Sequence, residues 1–456
     1  MTQSDRRLFS LFLLSVGILD YFGNISSLAL VCVLLSVVLC IHSFSAKLMG
    51  PPLPRWAGSA LVIALAGTVL LYNDKVPHPV YAATFVLLAA AILLYSLVKR
   101  RAARASAFSL AGLATLLGVV ENWRWGFSAM DVFRFQQSAS EALLHGQNPY
   151  SPAVPSPNMV APGVPGWLSL HLPYGPILPV LEAPFRLLGD VRVLHAVAAL
   201  IISGAALALA RRAGTVDRTA CVVMAFPLTI GMVLFSWVDV ITMAGLAVWI
   251  VSFRSHPRVA TLALVLALGA KPTTLIALVP IFFWSIRARR QVIIAAAIAA
   301  LFVLPFALVT GLSQFYYDTV GVQLAVFPRL DALTINSYLH GLGLPILPFA
   351  VSASVIAAAT VLVLRHRPNT YGELLTATAI LATISFLVAK WAYFNYYYIP
   401  AVLLMLAIAG NSLAVDVPEM IRPPAGLLLV WERLGVAMGR LPGAPVPAAQ
   451  GPDPVA

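Results

Sequence analysis

The 456 residues are 60% hydrophobic and 10% charged, with a net charge of +12 and a positive mean hydropathy. So little polar material cannot coat a soluble protein of this size, which excludes a water-soluble globular enzyme and makes lipid the solvent for most of the chain. The basic excess falls in short clusters between apolar runs, not along one face of a domain, so it is a topology signal and no nucleic acid is expected as a partner.

Apolar runs of about 15 to 20 residues, the length that crosses a ~30 Å hydrocarbon core, fall near 8–22, 25–42, 57–72, 80–98, 107–124, 192–210, 219–235, 237–253, 258–270, 273–286, 291–310, 343–363, 372–389 and 393–411. The expected fold is therefore all-α, a polytopic transmembrane helical bundle of about fourteen spans with both termini on one side. Arg6 and Arg7 precede the first run and no small-residue cleavage site follows it, so it reads as a retained helix. Cys32, Cys40 and Cys221 lie in apolar stretches without paired or metal-ligand spacing.

With a cytoplasmic N-terminus, 21 of the 29 basic residues fall in inside loops and in the tail, among them Lys99, Arg100, Arg101 and Arg104. The other eight, Lys75, Arg124, Arg134, Arg186, Arg192, Lys271, Arg329 and Lys390, face outward, so the positive-inside bias selects this orientation. Residues 258–286 would make a helix of roughly 43 Å, too long for one crossing. A break at Lys271-Pro272 gives two short helices and spares the lysine a mid-bilayer position, which costs about 2.5–3.5 kcal/mol. The segment 174–189, with Glu182, Arg186 and three prolines, reads as interfacial or re-entrant.

Three regions follow: 1–106 as four additional N-terminal transmembrane helices, 107–411 as a catalytic membrane domain, and 412–456 as a cytoplasmic tail, partly disordered. The longest polar interval, 122–191, lies outside on this topology. It opens at Asp131, continues as an amphipathic helix to His145 and turns at Gly146-Gln147-Asn148-Pro149-Tyr150. His171-Leu172-Pro173-Tyr174-Gly175-Pro176 comes next. A second outward loop carries Arg329-Leu330-Asp331, and a third outward point carries Lys390-Trp391-Ala392-Tyr393-Phe394-Asn395-Tyr396.

Each feature has an ordinary structural explanation. Boundary aromatics such as Trp391, Tyr393 and Tyr397 form interfacial belts, cations near helix ends snorkel, and Glu121, Asp239 and Asp318 read as structural acids. What favours function is convergence: one isolated acid and cations from distant segments fall on the same outer face, where charge at a membrane marks a site by default.

In order and sidedness these motifs, "GQNPY" after the loop Asp, "LPYGP", "LALGAKP", "RLDALT" and "KWAYFNYYY", resemble the GT-C superfamily of membrane glycosyltransferases. The likeness is to the family 87 mannosyltransferases that use polyprenyl-phosphate mannose, and it covers about 107–411. The resemblance implies Asp131 as catalytic base and Lys271, Arg329 and Lys390 as cations for the donor phosphate. The chain departs from such families, which often carry Tyr-Pro-Pro, in having Tyr174-Gly175-Pro176.

The resemblance implies a polyprenyl-phosphate sugar as donor, mannose foremost, and a lipid or glycan acceptor, at an active site on the extracytoplasmic side of the cell membrane. One carboxylate suffices because the donor's phosphate leaves without a proton, whereas a glycosidase needs two carboxyl groups. Asp331 is expected to orient Arg329. Asn148, Tyr150, His171 and Tyr174 are expected to meet sugar or acceptor, and Asn395 with Tyr396 to line a lipid groove. No cofactor and no metal is expected. The alternative from another class is a polytopic transporter or lipid flippase, which broken helices also suit; the absence of an internal repeat and the one-sided charges weigh against it.

Overall fold

The structure, a computed structural model, describes residues 3–20, 26–43, 131–156, 168–213, 227–325, 328–365, 368, 370–390, 392–410 and 413. The predicted runs 57–72, 80–98 and 107–124, the start of 219–235, Glu121, Trp391 and the tail beyond 413 lie outside the described residues.

Helices dominate: α1 (Gln3–Asp20), α2 (Ser27–His42), α3 (Asp131–Leu144), α4 (Ile177–Leu187), α5 (Arg192–Ala213), α6 (Pro227–Leu234), α7 (Asp239–Ser252), α8 (Pro257–Ala270), α9 (Leu275–Trp284) and α10 (Ile286–Thr310). Then come α11 (Leu312–Tyr316), a π-helical turn at Tyr317–Gly321, α12 (Val322–Ala325), α13 (Ile335–Gly341), α14 (Phe349–Arg365), α15 (Tyr371–Leu387) and α16 (Tyr398–Ala409). One departure from an all-helical chain is a two-stranded antiparallel ribbon, β1 (Val154–Ser156) with β2 (Leu168–Leu170). Strands of three residues, one containing a proline, carry no readable alternation, so the sequence did not announce them.

The expected break is present: α8 ends at Ala270, Pro272–Thr274 form a 3₁₀ turn, and α9 begins at Leu275. Pro272 lacks the N–H that would continue the ladder, and the residue before a proline is pushed to extended backbone, as Lys271 is (φ −146°, ψ 98°). The amphipathic helix after Asp131 is α3. At 1.5 Å per residue the 11 residues of α4 reach about 16 Å, too short to cross a hydrocarbon core.

Among the described residues, α5 and α10 are long and apolar enough to cross a membrane, by length and composition. The core gathers around α16, all of whose residues are buried, with α5, α7 and α15 packed against it and α8 and α9 packed in turn on α7 and α15. The first two helices join that core, α1 against α16 and α2 against α15. Ser10 Oγ donates to Ser36 O at 2.8 Å across their seam, the kind of polar contact that holds helices together where both sides are apolar. At the periphery the apolar side chains turn outward instead: Leu301 is 69% exposed and Val309 75% on α10, and Phe349 88% on α14.

One close approach fixes the site. Gly175 N donates to Ala270 O at 3.0 Å, so the entry to α4 sits backbone to backbone on the end of α8. A Cβ on Gly175 would lie 1.8 Å from Gly269 O, and one on Gly269 would lie 2.1 Å from Ile177 Cδ1. A proline at 175 would lack both the space and the donor. Gly175→Ala is expected to cost about 1–3 kcal/mol or more and to lower the thermal unfolding temperature in detergent; an unchanged transition would show that the two backbones can part freely.

Candidate active site

Asp131 opens α3, where the helix dipole favours negative charge. Its Oδ1 accepts from Val132 N at 2.8 Å and its Oδ2 from Ser156 Oγ at 2.9 Å. Ser156 is fully buried and stands in β1 opposite Leu168 of β2, so the ribbon serves to hold the carboxylate. The helix behind it is anchored along its length. Gln136 Nε2 donates to Ser236 O at 2.5 Å, Gln137 Nε2 to Gly189 O at 3.1 Å, and Arg186 pairs with Glu141 at 2.7 Å. Ser236 has φ +56°, a left-handed backbone uncommon outside glycine, in the turn that leads into α7.

The α7–α8 hairpin brings the start of one helix beside the end of the other. Asp239, in the first turn of α7, meets Lys271, at the end of α8, with Lys271 Nζ donating to Asp239 Oδ1 at 2.7 Å. Both ends suit their charges, an acid at an N-terminus and a cation at a C-terminus. Asn395 Nδ2 donates to Asp239 Oδ2 at 2.7 Å, and Lys271 Nζ lies 4.0 Å from the centroid of the Tyr396 ring. Asp239 is fully buried and Lys271 5% exposed. Lys271 therefore enters the site as half of a buried ion pair, and Asn395 as its third member.

Arg329 makes a two-pronged contact to Asp331, through Nε to Oδ1 at 2.8 Å and Nη2 to Oδ2, and its guanidinium lies 4.3 Å from the Tyr393 ring centroid. This is the orienting contact expected of Asp331. Burial lowers the Arg329 pKa, but the Asp331 hydrogen bonds and the charges of Asp331 and Asp131 help outweigh it, so the group is raised and firmly cationic. The loop is stapled to the segment after α15: Leu333 N donates to Ala392 O at 2.9 Å, Tyr397 OH to Leu333 O at 2.6 Å, and Asn336 Nδ2 to Ala389 O at 3.0 Å.

Electrostatics joins the three groups. The charge of Asp131 reaches Arg329, Tyr174 and Tyr393; Tyr174 also feels Tyr396 and Asp239. Segments far apart in sequence thus meet in one polar cluster. No protein-family model, curated protein or solved structure matches the chain. The likeness to family 87 accordingly rests on the sequence motifs alone.

Other expected residues land elsewhere. Asn148 Oδ1 accepts from Tyr150 N at 3.1 Å and its Nδ2 donates to Thr310 Oγ1 at 3.0 Å, while Tyr150 OH donates to Tyr174 O at 2.7 Å. Asn148 and the buried Tyr150 therefore build the scaffold beneath Tyr174 and have their polar atoms occupied there. Lys390 Nζ donates to Leu324 O at 2.7 Å. His171 Nδ1 is buried without a protein partner. Sequence reasoning read Asp239 as a structural acid and Tyr393 as part of an interfacial belt, and did not single out Ser156. An acid beginning an apolar run was the available signal for Asp239; Ser156 and Tyr393 offered none before the chain was folded.

Proposed function

We propose that the chain is a polytopic membrane glycosyltransferase that moves a sugar, mannose foremost, from a polyprenyl-phosphate donor to an extracytoplasmic lipid or glycan acceptor. The observation that carries this is Asp131, a carboxylate held by a main-chain N–H and a hydroxyl and set within electrostatic reach of Arg329. Asp239 and Asp331 are each tied to a cation, so they do not supply the second carboxyl that hydrolysis of a glycosidic bond requires.

In this reaction Asp131 takes the proton of the acceptor hydroxyl as that oxygen attacks the anomeric carbon. The bond from that carbon to the phosphate oxygen breaks, its electron pair leaves with polyprenyl phosphate, and the configuration inverts. Arg329 keeps Nη1 donors beyond those given to Asp331 and supplies them to the phosphate, where charge builds during bond breaking. Lys271, paired with Asp239, and Lys390, whose Nζ donates to Leu324 O, are the further cations of this reading. Four further points support a multi-pass location in the cell membrane: the fourteen apolar runs, the basic clusters on one side, the two helices of spanning length, and the outward apolar faces of α10 and α14.

The test supplies radiolabelled polyprenyl-phosphate mannose to membranes containing the chain. Label is expected in a new lipid or glycan product with release of polyprenyl phosphate, and Arg329→Ala is expected to raise the donor concentration needed. Movement of intact donor across the bilayer without cleavage would replace the transferase with a flippase.

A further inference from the structure

A second polar cluster pairs His171, one of the residues expected to meet sugar or acceptor, with Asp318, which the sequence offered only as a structural acid. Asp318 sits in the π-helical turn after α11, an irregularity that recurs at functional sites, and is 5% exposed. Gln314 Nε2 donates to its Oδ1 at 2.9 Å, but its Oδ2 is buried without a partner. His171 Nδ1 is likewise buried and unpartnered, and its chain neighbour Leu172 packs in one cluster with Tyr150 and with Phe315 and Val322, which flank Asp318 in sequence, so the two segments lie together. A buried carboxylate oxygen left unmatched is costly and uncommon enough to require an explanation.

We propose that His171 and Asp318 form the subsite that takes a non-reacting hydroxyl of the acceptor sugar. A hydroxyl is the group that answers both atoms: its hydrogen goes to Asp318 Oδ2 and its oxygen accepts from His171 Nδ1. A phosphate would be repelled by Asp318, and among the described residues no third His, Cys, Asp or Glu joins the pair to complete a metal site. The place suits an acceptor. His171 directly follows β2, whose partner β1 carries the Ser156 that holds Asp131. At about 3.3 Å per residue, His171 stands on the order of 10 Å along the strand from the level of Ser156, within the reach of a saccharide whose reacting hydroxyl lies at Asp131.

The subsite deepens the transferase proposal and rests on it for the word acceptor, so two readouts are needed. Octyl α-mannoside is the probe, with the full chain in lipid nanodiscs, observed by saturation-transfer NMR and as an acceptor of label from polyprenyl-phosphate mannose. Asp318→Asn, which keeps the Gln314 contact, and His171→Gln are expected to abolish saturation transfer to the sugar protons. Each is expected to raise the acceptor KM about 10- to 100-fold, with the donor KM within about twofold. Binding and acceptor KM unchanged in both variants, at an unchanged unfolding temperature, would mean that the pair holds water alone and would overturn the subsite while leaving the transferase standing. Mannoside binding that the variants abolish, with no transfer by the parent chain, would support the sugar site and remove the transferase.

Discussion

Asp131→Asn is expected to lower sugar transfer by about 10²–10⁴-fold, the usual contribution of a positioned general base. The substitution is conservative in shape. The amide oxygen still accepts from Val132 N, and Ser156 Oγ can turn to accept from the new NH₂ group, so α3 and the ribbon keep their places. What disappears is the capacity to take the proton of the attacking hydroxyl. Since the proposed reaction assigns the donor to Arg329, the loss should fall on kcat with the donor KM nearly unchanged. Steady-state transfer of radiolabel in membranes containing equal amounts of each protein measures both. Transfer at the parental rate would remove Asp131 as base and, with it, the chemical core of the proposal.

The largest stability effect is expected at Asp239. Asp239→Leu leaves the Lys271 ammonium in a buried site with its carboxylate gone, a loss of about 3–5 kcal/mol for the breaking of a buried pair. Lys271 is 5% exposed and Asp239 fully buried, so water does not restore the missing partner. Replacing both, Asp239→Leu with Lys271→Met, removes the orphan charge and is expected to recover most of the stability, because paired charges and matched apolar side chains are often equivalent in an interior. Activity should not recover with it. Asn395 loses the carboxylate that holds its Nδ2, and Tyr396 loses the ammonium over its ring. Thermal unfolding in detergent, read beside transfer activity, separates the two effects; a single variant as stable as the parent would exclude the buried pair as a structural tie.

The sequence was most informative where the physics is local. The α8–α9 break follows from Pro272, whose missing N–H and steric demand act on its immediate neighbours. The start of α3 at Asp131 follows from an acid ahead of an amphipathic stretch, and the Arg329–Asp331 contact spans two residues of one loop. Those features come from short-range rules, and they also mark a carboxylate and its nearest cation as a candidate site.

Composition and hydropathy by themselves determined that this chain is mostly helical and built of long apolar runs, because apolar fraction and run length act on each segment separately. Only the tertiary structure decided which groups meet. Asp239 with Lys271 are 32 positions apart, Ser156 with Asp131 25, and Asn395 with Asp239 156. The Gly175 to Ala270 contact likewise joins two distant segments. Such pairings depend on how helices pack and on where two glycines let backbones touch, and a pattern read along one segment carries no information about the partner that will face it.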